Sequence, residues 1–184
     1  MKISRLAGIL IAGVLSCAAL PSFAQTVMVG GAAMYPTKDI IDNAVNSKDH
    51  TTLVAAVKAA GLVDTLKGKG PFTVFAPTNE AFNALPAGTV DKLLKPENKA
   101  TLIKVLTYHV VAGNMDTAAL MKAISAGGGK ATLTTVAGGT LTAMQSGSAI
   151  TLTDEKGGTA KVTIADVKQS NGVIHVVDKV LLPK

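Results

Sequence analysis

The sequence predicts an α+β domain in which helices come first and strands last. Two observations carry this: apolar residues recur at helical spacing from Lys38 to about Ile124, and after Lys130 they alternate with polar residues at a period of two. A third is size. Behind an export signal the chain keeps 160 of its 184 residues, and a domain near that length buries roughly 70% of the surface its unfolded chain exposes.

The first element is the signal itself. Lys2 and Arg5 precede an apolar run from Leu6 to about Leu20, and Ser22-Phe23-Ala24 puts small residues where a signal peptidase needs them, so cleavage is expected after Ala24. The run is short of the ~20 residues a membrane-crossing helix needs, and Gly8, Gly13 and Pro21 interrupt or end it. Val14-Leu15-Ser16-Cys17 loosely resembles a lipoprotein acylation site, and processing there is the alternative. Cys17 is the chain's one cysteine, so cleavage after Ala24 leaves no disulfide, thiol nucleophile or cysteine metal site.

Residues 25–37, with Gly30-Gly31 and Pro36, show no sustained period and read as an extended lead-in; the domain proper is expected over 38–183. Helical spacing follows in Leu53/Val54/Val57, Leu62/Val63/Leu66, Val90/Leu93/Leu94, Leu102/Ile103/Leu106 and Leu120/Met121/Ile124. Asp49 or Thr51, Thr78, Thr89 and Asp116 are available as N-caps, Pro96-Glu97 suits a first turn, and Gly61 and Gly127-Gly128-Gly129 are stops. Half-buried strands are expected around Leu141, Ile150/Leu152 and Val162/Ile164, punctuated by glycine turns. Val173–Val177 is apolar on both faces and reads as a covered central strand; Phe72–Ala76 is a similar strand among the helices. Neither an internal repeat nor a second domain is found.

Charge argues against nucleic acid as a partner. Without Lys2 and Arg5, 16 lysines and no arginine stand against 12 acids, a net charge of +4, and there is no tryptophan. Arginine forks and stacking aromatics, the usual tools of nucleic-acid recognition, are missing. Attraction to an anionic envelope or polysaccharide would show as strong salt dependence.

No catalytic constellation emerges. The serine elbow G-x-S-x-G is absent, and Ser146 and Ser148 fall in a hairpin turn. Gly129-Lys130 fails the phosphate-loop pattern at Ile124 and at Ala131. His50, His109 and His175 lack the close spacing that points two ligands at one metal, Asp154-Glu155 reads as a solvated hairpin tip, and the dispersed methionines read as gap fillers. No cofactor, metal or catalytic residue is therefore expected.

Two longer patterns stand out. Thr73–Phe82 (TVFAPTNEAF) closely resembles the first signature of fasciclin domains, and Asn171–Pro183 (NGVIHVVDKVLLP) resembles the second. Tyr108-His109, between them, matches the family's central tyrosine-histidine pair, and the resemblance covers about Lys38 to Pro183. It implies a single domain with a β-wedge of antiparallel strands and a helical layer, located outside the cytoplasm (periplasm or secreted). It also implies a non-enzymatic role in adhesion, in contact with a protein, cell surface or matrix. The alanine-rich signal looks bacterial. Carried over from integrin-binding members, the candidate partner-binding residues are Asp166 and Val167, ahead of the second signature, with Tyr108 and His109; Ile164-Ala165 departs from the acid and proline that animal members carry there. Read from its own residues, Tyr108-His109 is a buried hydrogen-bonded pair. The rival function is an extracytoplasmic carrier of a small molecule or lipid, motivated by 48% hydrophobic residues and two layers that could leave an apolar groove.

Overall fold

The computed structural model describes residues 26–184. The signal, its cleavage point and Cys17 lie outside the described residues. In chain order the elements are β1 (Val27–Val29), β2 (Ala32–Met34), α1 (Ile40–Ala44), α2 (Thr51–Ala60), α3 (Val63–Lys67), β3 (Phe72–Pro77), α4 (Asn79–Asn83), α5 (Thr89–Leu94), α6 (Lys99–Tyr108), β4 (Val110–Ala112), α7 (Thr117–Ala126), β5 (Lys130–Thr134), β6 (Thr140–Ser146), β7 (Ala149–Thr153), β8 (Thr159–Gln169) and β9 (Gly172–Val177). The helices α1–α7 all precede the run of strands β5–β9, as the change of period predicts, while β1–β4 lie before or among the helices.

Seven strands form one sheet in the order β4-β3-β9-β8-β7-β6-β5. Neighbours run antiparallel except β3 and β9, which lie parallel with Phe72 opposite Gly172 and Pro77 opposite Val177. A bridge between Val111 and Thr135, with Val136 N–H donating to the Val110 carbonyl at 2.8 Å, brings the two ends of the sheet together. The sheet thus curls into a wedge.

Two apolar cores result, and the central strands divide them. Val74 and Ala76 of β3, with Ile174 and Val176 of β9, face a helical core built from α1, α2, α3, α4 and α6. Phe75 and Val177 face the wedge core with Leu120 and Ile124 of α7 and Leu141, Ile150 and Leu152. Every residue of β9 is buried, which is why its sequence shows no alternation. The outer strands keep alternation because only one of their faces is covered.

The helix boundaries have local causes. Thr78 and Asp116 accept from the N–H groups of Ala81 and Ala119, as N-caps should. Gly61 ends α2 in the left-handed conformation at φ 74°. Thr89 is not a cap: Gly88 holds that position and Thr89 is the first helical residue. Neither Asp49 nor Thr51 caps α2, because Asp49 belongs to a short 3-10 turn, Lys48–His50, that runs straight into it. Asn79 supplies the cap from a distance, its Oδ1 accepting from Thr52 N–H at 3.0 Å while its amide donates to the Lys48 carbonyl at 2.7 Å.

The extended lead-in folds back on itself as the β1–β2 hairpin, turning at Gly30-Gly31. Val29 and Met34 join the helical core. Buried Asn43 holds the exit from this hairpin: it accepts from Tyr35 N–H at 3.0 Å, donates to the Tyr35 carbonyl at 2.8 Å, and also donates to Gln169 Oε1. Strand β8 is longer than its sequence suggests. Asp166 lies inside it, at an irregularity.

Candidate functional site

Tyr108 ends α6 and His109 follows it, but their side chains leave in different directions. The Tyr108 ring is fully buried in the wedge core, its hydroxyl donating to the Thr140 carbonyl at 2.6 Å and accepting from Glu155 N–H at 3.1 Å. Burial, with the Glu155 and Asp154 charges nearby, raises its pKa above the usual tyrosine value. His109 is 3% exposed. Its Nε2 accepts from Leu181 N–H at 2.9 Å, so the proton sits on Nδ1, which donates to the Val105 carbonyl at 2.8 Å. Burial holds its pKa down at about 4, and the ring is neutral at neutral pH. Together the pair locks the end of α6 onto the wedge and the C-terminal segment. Neither side chain reaches the surface.

Val167 is also buried, at 1% exposure. Asp166 is half-buried and adopts φ 56°, alone among described non-glycine residues in the left-handed region. Its register with β9 slips between Ile164 and Val167. Its carboxylate accepts from Thr117 N–H at 2.6 Å, capping the first turn of α7, and its own N–H donates to His175 Nδ1 at 3.3 Å. Asp166 is thus a bulge and helix-end residue whose remaining exposure borders the surface. Of the four candidate partner-binding residues, Asp166 and Val167 lie together on β8, while Tyr108 and His109 lie elsewhere in the core.

The other two histidines are also engaged inside the fold. His175 is fully buried, stacks on Phe75 with ring centroids 5.6 Å apart, and donates from Nε2 to the Met115 carbonyl at 2.8 Å. His50 is buried and pairs through Nδ1 with the Ser47 hydroxyl at 2.9 Å. Burial lowers both pKa values. No serine or threonine hydroxyl stands beside His109 or His175 as a nucleophile would, because backbone groups take their ring nitrogens. Among the described residues no three His, Cys, Asp or Glu side chains cluster as a metal site.

Asp154 corrects its expected role as part of a solvated tip. It is 8% exposed, accepts from Lys156 and Gly158 N–H groups at 2.9 and 2.7 Å through Oδ1, and from Leu182 N–H at 3.0 Å through Oδ2. Glu155 accepts from Thr140 N–H at 2.9 Å, a bond that leads in holding its pKa below the usual value. The tip turns inward because the chain's last residues pack against it.

The largely apolar cleft between α1, α2, α3, α6 and the sheet encloses about 50 Å³. That is about a third of an engineered cavity that takes up a single benzene. His109 and Phe75 line it. Sequence reasoning missed two hubs, the buried Asn43 and the half-buried Asn171. Asn171 accepts from Ile40 N–H at 3.1 Å and donates to the Leu66 and Gly68 carbonyls at 2.7 and 3.2 Å, joining α1, the end of α3 and the last strand. Its turn role is legible from Asn-Gly; its long-range bonds are not.

Comparison with known proteins agrees with this architecture. The model of the fasciclin domain matches residues 48–183. Protein sll1483 of Synechocystis sp. is 47% identical over 161 residues, covering 86% of this chain and 81% of that protein. Immunogenic protein MPB70 of Mycobacterium bovis is 37% identical over 145 residues, covering 76% of this chain and 66% of that one. Among solved structures, a FAS1 domain pair from the insect cell adhesion molecule fasciclin I superimposes with a TM-score of 0.70 at 18% identity, over 79% of this chain and 51% of that one. With both signatures spent on holding the wedge to its helical layer, and a family match across most of its length, the chain belongs to the fasciclin domain family.

Proposed function

We propose that the protein is an exported, non-enzymatic interaction module that contacts a protein partner on a cell surface or in a matrix. The observation that carries this reading is the internal use of its chemistry: all three histidines are buried, and Tyr108 and Asp154 are tied to backbone groups. What such a domain offers is surface shape and strand edges. Its fold is shared with a domain pair of a cell adhesion molecule, which supports a contact role by analogy.

An extracytoplasmic location follows from the signal pattern of residues 1–24, and no helix among the described residues is long and apolar enough to cross a membrane. Intact mass tests the processing: a chain starting at Gln25 is expected, and a diacylated Cys17 would overturn it. For function, saturable binding of the exported protein to intact cells or envelope fractions is expected. Binding no greater than that of an unrelated protein of equal positive charge would sink the reading.

A further inference from the structure

Strand β8 belongs to two ladders in turn. Its first residues pair with β7, and that ladder stops at Thr151 opposite Lys161. From Val162 onward β8 pairs with β9, through two register shifts. Such bulges bend a strand and raise its twist. Here they carry β8 away from β7, and Asp166, tied to Thr117 and His175, holds the bend.

The sheet therefore splits. Ala149 and Ile150 pair with β6 on one side and have no partner residue in β8 on the other. Between the diverging strands lies a groove of about 430 Å³, lined by Ser148–Ile150 on one wall and by Lys161–Thr163 and Ala165 on the other. Thr117 closes one end, and its buried Oγ1 has no hydrogen-bond partner. Lys161 is the one charged residue among those lining the groove. Ile150 and Val162 are wedge-core residues, so alternate side chains of an added strand would meet apolar surface while the others face solvent.

We propose that this split receives an extended segment of another polypeptide, which pairs with the free side of β7 and carries alternating apolar and polar residues with an acid near Lys161. Two strands that diverge from a ladder leave room for a third between them, and main-chain pairing of this kind gives affinity while alternate pockets give selectivity. The inference rests on the reading of the domain as an interaction module and names the surface it uses.

The probe is an acetylated and amidated octapeptide of alternating threonine and valine with an aspartate at one end, titrated into the ¹⁵N-labelled exported protein. Saturable shifts confined to the amides of Ser148–Ile150 and Lys161–Ala165 are expected, with their hydrogen exchange slowed at least tenfold in the complex. A peptide with N-methylated valines should not bind. Ala149→Lys and Thr163→Lys, which place charge on the two walls, should each weaken binding at least tenfold with only a small shift of the unfolding midpoint, the larger for Thr163→Lys, which loses the hydroxyl bond to the Val176 carbonyl. No saturable shift, shifts elsewhere, or equal binding of the methylated peptide would overturn the proposal. Self-association that either lysine variant abolishes would make a second copy the occupant, and would overturn it too. Envelope binding measured in parallel separates the two readings: undiminished binding by both variants removes the groove and leaves the module, while no binding by the wild type removes the module and leaves the peptide titration to decide the groove.

Discussion

The seam between β3 and β9 and the split between β7 and β8 are opposite solutions within one sheet. At the seam both strands are covered on two faces, and six residue pairs run in register from Phe72–Gly172 to Pro77–Val177. At the split three residue pairs suffice before the strands part. The signature residues gather at the seam. Thr78 caps a helix, Asn79 and Asn171 bond to distant backbone, and His175 packs under Phe75. The contrast teaches that in this chain the two signature motifs mark where the fold is held, while the split carries little motif at all.

Breaking the seam should have the largest effect. A Cβ on Gly172 would lie 1.9 Å from the Phe72 carbonyl oxygen, backbone that cannot move without parting β3 from β9. Gly172→Ala should cost more than about 4 kcal/mol, read as a collapse of the urea midpoint.

Acid should come next. Burial keeps His109 neutral when folded, with a pKa of about 4 against 6.5 for the free side chain. The unfolded chain therefore takes up this proton first as pH falls. The stability that His109 contributes is full above pH 6.5 and is lost as pH falls towards 4, about 3 kcal/mol over that window. His50 and His175 are shifted the same way. Urea midpoints at pH 7, 5.5 and 4 should fall steadily, and His109→Phe, though weaker at pH 7, should fall less steeply. Equal slopes would assign the acid sensitivity to other groups.

Asn171→Ala leaves Ile40 N–H and the Leu66 carbonyl without their partner, at an expected cost of about 2–3 kcal/mol. Thermal melts test it, and a wild-type melting temperature would mean that water replaces the amide. At the bend, Asp166→Ala removes the bond to Thr117 N–H and puts alanine in the left-handed region. It should cost about 2 kcal/mol, and Asp166→Gly, free of the backbone penalty, about 1 kcal/mol. An exposed contact residue would instead stay within about 0.5 kcal/mol in both. The smallest change is expected at the split itself, where Ala149→Lys and Thr163→Lys should shift stability by less than about 1 kcal/mol. A large loss there would mean that the two walls pack more tightly than the seam comparison requires.

Much of the architecture was legible because it follows from periodicity and punctuation. The helical spacing of Leu53/Val57 and Leu102/Leu106, the alternation of Ile150 and Leu152, and the unbroken burial of Val173–Val177 each come from which faces are covered. Caps read from single residues fared unevenly. Thr78 and Asp116 bond within their own first turn, whereas the α2 cap comes from Asn79, 27 residues from the N–H it serves, and no local rule reaches that far.

By itself, then, the sequence determined the order of helices and strands, the two-faced burial of β9 and the family, since these depend on residue type and spacing along the chain. Tertiary structure alone decided the rest. That Tyr108 and His109 face apart, that Asp154 turns inward, and that Asp166 holds a bend depends on which distant backbone groups lie within about 3 Å of each side chain. Such partners are chosen when the wedge closes, and one strand's departure from its neighbour, invisible in alternation, opens the groove between β7 and β8.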